Sequence, residues 1–85
     1  MKRRFEVIVQ LKEGLADPQG KAIQDALATM GFEKVAGVRT GKHFELTVAE
    51  DDAERARDMV EEIARRLLSN EVIELFWVAE GATAE

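Results

Sequence analysis

Few residues of this 85-residue chain are of the types that carry out bond-making chemistry. The sequence has a single histidine, His43, no cysteine, and one serine, Ser69, which no Gly-x-Ser-x-Gly turn surrounds. Covalent catalysis requires a nucleophile, a base and a group that orients the base. His43 stands at the start of a predicted strand and Ser69 at the end of a predicted helix. We therefore predict no catalytic residues.

The acidic residues do not form a metal-ligand or acid-base pattern either. Glu50, Asp51 and Asp52 precede a strong helical segment, where acidic side chains favour the positive end of the helix dipole. Glu61 and Glu62 are adjacent, so on a helix they diverge by about 100°. Each has an arginine four residues later, which is typical of an exposed helix face. We predict no metal site and no cofactor on this chain.

Two short segments are the best candidates for contact with a partner. Asp17-Pro18-Gln19-Gly20 leads into a predicted helix: Asp17 and Pro18 suit its first positions, while Gly20 would also permit close approach by another chain or a ligand. Arg39-Thr40-Gly41-Lys42 is read either as an ordinary hairpin turn or as two exposed cations beside a glycine, suited to an acidic partner surface. The predicted contact residues are Asp17, Pro18, Gly20, Arg39, Gly41 and Lys42.

Local patterns indicate the elements that would position these residues. Alternation of apolar and polar residues predicts strands from Phe5 to Leu11 and from Phe44 to Val48, and a weaker strand over 33–39. The last two would form a hairpin near Gly41. Apolar stripes predict helices that begin at Pro18 and at Ala53, and an almost wholly apolar strand follows over 71–79.

The predicted fold class is α+β, with the order β-α-β-β-α-β of a split βαβ, ferredoxin-like fold. A four-stranded, mostly antiparallel sheet would carry two helices on one face, in a single domain over 1–79 with a flexible tail over 80–85. Helices on one face leave the other uncovered, so self-association is expected there. The residues predicted for this contact are Ile8, Val72, Phe76 and Val78.

Charge and hydropathy limit the kind of partner. Twelve Lys and Arg against 17 Asp and Glu give a net charge of −5, which disfavours a general nucleic-acid binder. No apolar run reaches the length of a membrane span, and acidic and amide residues interrupt the segment after Met1-Lys2-Arg3-Arg4, unlike a signal peptide. We expect a cytoplasmic protein that binds neither membrane nor nucleic acid.

Three motifs in order resemble one known family. After the first strand, which ends near Gly14, comes the motif Asp17-Pro18-Gln19-Gly20. An alternating strand is preceded by Val38-Arg39-Thr40-Gly41-Lys42. The last strand is preceded by Leu67-Leu68-Ser69-Asn70-Glu71-Val72-Ile73-Glu74. Together they resemble the PurS family, the small subunit of bacterial and archaeal phosphoribosylformylglycinamidine synthase. The resemblance covers residues 3 to about 79. Glu71 departs from it, since the family usually has proline after the asparagine.

The resemblance implies a non-catalytic subunit of a larger enzyme. A glutaminase subunit would release ammonia from glutamine, and a large synthetase subunit, which would bind ATP and Mg²⁺, would use it in purine synthesis. The small subunit would be a homo-oligomer, a dimer or larger, that bridges the two enzymes and aids the transfer of ammonia.

Two other functions fit parts of the sequence. A dimeric split βαβ domain is also suited to sensing a small molecule at the subunit boundary. RNA binding through an open sheet face fits less well, because the sequence lacks the paired exposed aromatics and the basic surface that base stacking needs.

Overall fold

The computed structural model describes residues 2–84, and the side chains of residues 2–81. Three strands and two helices alternate in the order β-α-β-α-β, and the second helix continues into a short π-helical turn, Ala64–Leu68. The elements are β1 (Lys2–Leu11), α1 (Pro18–Thr29), β2 (Gly41–Val48), α2 (Ala53–Ile63) and β3 (Glu74–Ala84). The α+β class and the split βαβ character are as predicted.

The sheet has three antiparallel strands in the order β2-β1-β3, rather than the predicted four. The segment 33–39 is not a strand, and β2 pairs with β1 instead of forming a hairpin with that segment. The register explains the difference. Gln10 is opposite Gly41, so the register places Thr40 opposite Leu11, the last residue of β1, and the residues before Thr40 lie beyond the end of that strand.

The core lies between the sheet and α2. Phe5, Val7 and Val9 of β1 are fully buried, as period-two alternation predicts, and they pack with Ala56 and Val60 of α2. The helix begins as predicted, with the Asp52 side chain accepting a hydrogen bond from the backbone N–H of Arg55 at 2.9 Å. The alanine on the inner face allows the helix to approach the sheet closely.

The α2 helix keeps one face toward the sheet over its whole length. Its buried residues Ala56, Val60 and Ala64 are spaced four apart, and in an α-helix each such step turns about 40° too far. The π-helical turn corrects this drift, because the backbone N–H of Ser69 donates to the carbonyl of Ala64, five residues back, at 2.9 Å. Leu68 therefore also packs against the core.

The assignment of β3 residues to the two sheet faces is opposite to the prediction. Val9 is opposite Phe76, and both Phe76 and Val78 pack against the core under α2. Ile8 is opposite Trp77 on the uncovered face, where the Trp77 side chain is 51% exposed. The two-residue alternation of a strand determines which residues share a face of the sheet, but not which face a helix covers.

Both ends of the β3 segment also differ from the prediction. Val72 is exposed in the turn that precedes β3. Residues 80–84, predicted as a flexible tail, continue the strand, with Glu80 opposite Phe5 and Ala84 opposite Lys2. Met1 and Glu85, at the ends of the predicted domain and tail, lie outside the described residues.

Among residues 2–84, α2 is the only helix that packs on the sheet, although two helices were predicted there. Within residues 2–84, α1 has no contact with a strand comparable to that of α2, and its apolar residues Ile23 and Met30 are exposed. The radius of gyration is 16.4 Å, against about 12 Å for a compact chain of this length. The first helix therefore projects from the sheet.

Candidate functional site

The two segments predicted to contact partners lie together at the base of α1. The Asp17 carboxylate accepts a hydrogen bond from the backbone N–H of Gly20 at 2.9 Å and another from the backbone N–H of Thr40 at 2.7 Å. The hydroxyl of Thr40 donates to the same carboxylate at 2.9 Å. Asp17 therefore caps α1 and also joins its start to the residue that precedes β2.

These donors change the acidity of Asp17. The backbone N–H of Thr40, above all, and that of Gly20 stabilise the carboxylate and lower its pKa below the ordinary value of 3.8. The Thr40 hydroxyl and the charge of Arg39 act in the same direction, and partial burial opposes them. A carboxylate held ionised by three donors is a poor proton acceptor, so its role here is structural.

Two glycines are required by the close packing of the chain on itself. A Cβ atom on Gly20 would lie 2.4 Å from the carbonyl oxygen of Val38, and one on Gly41 would lie 2.5 Å from that of Val9. Both distances are far too short for a side chain. The close approach predicted as an option at Gly20 is thus made by this chain's own backbone.

The two predicted cations already have partners within the chain. Arg39 donates to the backbone carbonyl of Leu11, and the Lys42 ammonium lies 3.6 Å from the Glu74 carboxylate. Both side chains are nevertheless exposed, as is Pro18 at the first position of α1. A shallow groove is lined by residues that include Leu11, Pro18, Thr40, Lys42 and Glu74. Arg39 lines a second depression, which shares Asp17 with the groove. This surface is suited to polar contact with a protein.

The other candidate residues for chemistry lie elsewhere. The imidazole Nε2 of His43 is 3.4 Å from the Glu6 carboxylate on the uncovered sheet face. The Ser69 hydroxyl donates to the carbonyl of Ala64 at 2.9 Å and so terminates the π-helical turn. Within residues 2–81 these two side chains do not form a nucleophile-base pair.

The sequence analysis missed two features of these surfaces. Thr40, which holds Asp17, was within the quoted motif, but no local pattern links it to a residue 23 positions earlier. Trp77 and Leu75 are on the uncovered face beside Ile8. The sequence alternation shows that Leu75 and Trp77 share one face of the strand, but it does not show which face α2 covers.

Helices among the described residues are too short or too polar to cross a membrane. This agrees with the absence of a long apolar run in the sequence.

Comparison with known proteins identifies the family. A family model described as PurS, phosphoribosylformylglycinamidine (FGAM) synthase, matches residues 4–79. A Bacillus subtilis protein, phosphoribosylformylglycinamidine synthase subunit PurS, is 45% identical over an alignment of 74 residues, and the match covers 84% of this chain and 83% of that protein.

Comparison with solved structures identifies the same family. The crystal structure of Methanocaldococcus jannaschii PurS has a TM-score of 0.84 and 33% identity, with 99% of this chain and 100% of that chain covered. A chain in the structure of PurLQS from Thermotoga maritima has a TM-score of 0.87 and 30% identity, with 94% of this chain and 98% of that chain covered. The chain thus matches the family in sequence and fold alike, and it belongs to the PurS family of FGAM synthase subunits.

Proposed function

We propose that this protein is the non-catalytic small subunit of phosphoribosylformylglycinamidine synthase, and that it bridges a glutaminase subunit and an ATP-dependent synthetase subunit. The observation that carries the proposal is the match, over 94% of the chain, to a chain in the structure of PurLQS from Thermotoga maritima. The family match over residues 4–79 supports it independently.

The local chemistry supports an adaptor rather than a catalyst. The carboxylate of Asp17, whose pKa is lowered, is already hydrogen bonded to the backbone N–H groups of Gly20 and Thr40. The ATP and Mg²⁺ of the reaction would bind the large synthetase subunit, and the ammonia would pass from the glutaminase to that subunit. The whole reaction would take place in the cytoplasm, without nucleic acid or membrane as a partner.

The proposal assigns contacts to two surfaces. The exposed side chains near the start of α1, namely Pro18, Arg39 and Lys42, would contact the larger subunits. Uncovered apolar residues would contact further copies of this chain in a dimer or larger homo-oligomer. Support for self-association comes from α1, whose apolar residues have no cover within the described chain.

Reconstitution tests the proposal. The chain is mixed with the glutaminase and synthetase from the same organism, and turnover is measured with glutamine and, separately, with ammonium chloride. We expect glutamine-dependent turnover to require the small subunit and ammonia-dependent turnover to proceed without it. Equal glutamine-dependent rates with and without the chain would overturn the bridging role.

A thermal shift measurement addresses the alternative of a free-standing sensor. An adaptor should melt at the same temperature with and without purine nucleotides, glutamine and other amino acids. A rise of several degrees with a single small molecule would instead favour the sensor.

A further inference from the structure

The uncovered face of the sheet has an apolar part and an acidic part. Its side chains alternate along their strands with the core residues, so they point away from α2. Toward β3, Ile8, Leu75 and Trp77 are 43%, 45% and 51% exposed, and Ile8 lies opposite Trp77. Toward β2, Glu6 of β1 lies directly opposite Glu45. The two parts adjoin, because Glu6 and Ile8 are neighbours on the same side of β1.

The two opposite carboxylates work against the stability of the sheet. Side chains at directly opposite positions on antiparallel strands are about 5 Å apart at Cβ, so like charges there repel each other. Glu6 has one compensating contact, since its carboxylate lies 3.4 Å from the imidazole Nε2 of His43. Glu45 forms no ion pair or hydrogen bond within the part of the chain whose side chains are described. The folded chain therefore carries an acid that does nothing for its own stability.

The isolation of Glu45 contrasts with other exposed charges of this chain. Lys21 pairs with Asp25 at 2.9 Å, and Arg66 pairs with Glu62 at 3.0 Å, each four residues apart on a helix. Natural proteins depart from locally favourable arrangements mainly at functional sites. The contrast indicates that the charge of Glu45 is compensated by another molecule.

The apolar part of the face indicates that this molecule is a protein. An exposed tryptophan beside aliphatic side chains is typical of the centre of a protein interface. A partner that covers Trp77 and Ile8 also removes water from the adjacent carboxylates, and burial of a charge is unfavourable unless an opposite charge meets it. The surface that fits therefore has apolar side chains facing Trp77 and an arginine or lysine facing Glu45.

A second copy of this chain does not supply that surface. When two sheets stack with aligned strands, the apolar residues of both copies meet only if the two-fold axis passes near Ile8. Glu45 of one copy then faces Ala79 of the other when the strands run parallel, and Gly41 when they run antiparallel. Neither residue is a cation. A different protein is free of this symmetry.

We propose that the uncovered face binds a different protein, one of the two larger subunits of the proposed complex, through apolar side chains over Trp77 and a lysine or arginine over Glu45. The assignment rests on the proposed function and adds a second contact surface to the one near the start of α1. It leaves contact between copies of this chain to the exposed apolar residues of α1.

Charge reversal at Glu45 separates binding from stability. Glu45→Lys places a lysine opposite Glu6, so it should raise the urea midpoint of the isolated chain. The same variant should weaken binding to one larger subunit by about tenfold or more, measured by titration with the glutaminase and with the synthetase separately. A residue that acts only through the fold would not raise stability and lower affinity together.

Two further variants complete the experiment. Trp77→Ser removes the largest apolar side chain of the face and should weaken binding to the same subunit by about tenfold or more. Glu62→Lys is the matched control, because it makes the same change of net charge at an exposed position of α2. It should leave the affinity for that subunit unchanged. Sedimentation of each variant gives its oligomeric mass.

Weaker binding to one larger subunit by Glu45→Lys and Trp77→Ser, at an unchanged oligomeric mass, supports the assignment. Wild-type affinity in both variants, an equal loss in Glu62→Lys, or a fall in oligomeric mass overturns it, the last because the face would then join copies of this chain. The proposed function has a separate readout: a wild-type chain that binds neither larger subunit refutes it, whereas variants that bind as tightly as the wild type refute the assignment alone.

Discussion

Asp17 and Thr40 are 23 residues apart in sequence and are joined by hydrogen bonds. The Asp17 carboxylate accepts one from the backbone N–H of Thr40 at 2.7 Å and another from the Thr40 hydroxyl at 2.9 Å. This contact fixes where the chain leaves the sheet after β1 and where it returns at β2. The position of α1 relative to the sheet therefore depends on one ionised side chain.

Neutralising Asp17 should make stability less dependent on pH in the acid range. The pKa of the folded carboxyl is lowered, so its stabilisation is fully present above the ordinary value near 3.8 and is lost as pH falls through the lower folded value. Asp17→Asn should reduce the urea midpoint at neutral pH and flatten its acid decline. Parallel pH curves for the wild type and the variant would contradict this assignment.

Gly20→Ala should destabilise the protein by roughly 1–3 kcal/mol, because its Cβ would overlap the Val38 carbonyl at 2.4 Å. The matched control is Gly37→Ala, where a Cβ meets nothing within 4 Å. The control should be neutral or stabilising, by up to about 1 kcal/mol. Urea denaturation of both variants measures the difference, and equal midpoints would show that the start of α1 is not tightly packed against Val38.

A glutamate on the apolar side of α1 should weaken the dimer. Ile23→Glu places a charge on the exposed apolar side of α1, whereas Ala28→Glu adds the same charge to an exposed position on the far side of α1. We expect at least a tenfold higher dimer dissociation constant for the first variant and little change for the second, by sedimentation at several concentrations. Similar constants would place the interface elsewhere.

Removing the exposed cations Arg39 and Lys42 should weaken binding to the larger subunits. Arg39→Ala combined with Lys42→Ala should raise the dissociation constant for the glutaminase-synthetase mixture by roughly tenfold, with a smaller effect at high salt. Lys21→Ala is the control, because Lys21 is equally exposed and pairs with Asp25 on α1 at 2.9 Å. Equal affinities for both variants would move the contact away from the groove.

Most of the elements follow from local patterns in the sequence. The alternation from Phe5 to Leu11 predicts β1 and its buried face, and Asp17 marks the start of α1. The acidic residues before Ala53 mark the start of α2, and the structure shows that Asp52 is the cap. These signals act over a few residues, so a single sequence contains them. The same locality led to the prediction of a strand over 33–39, because its apolar residues carry the pattern whether or not a partner strand is present.

The errors concern contacts between distant residues. Phe76 and Val78 were assigned to the uncovered face because nothing local shows which side of β3 meets α2. The π-helical turn at Ala64 was also missed, since the four-residue spacing to Val60 and Leu68 is compatible with an ordinary helix. At the candidate site, the motif residues were identified, but their contacts with one another were not.

The Cα atoms of the molecule span only 14 Å along its shortest axis. Two large enzymes bound to opposite faces of such a thin subunit would be separated by little more than a sheet and one helix. A small product released by one enzyme could then reach the other by a short path around the edge of this subunit, without a channel through it.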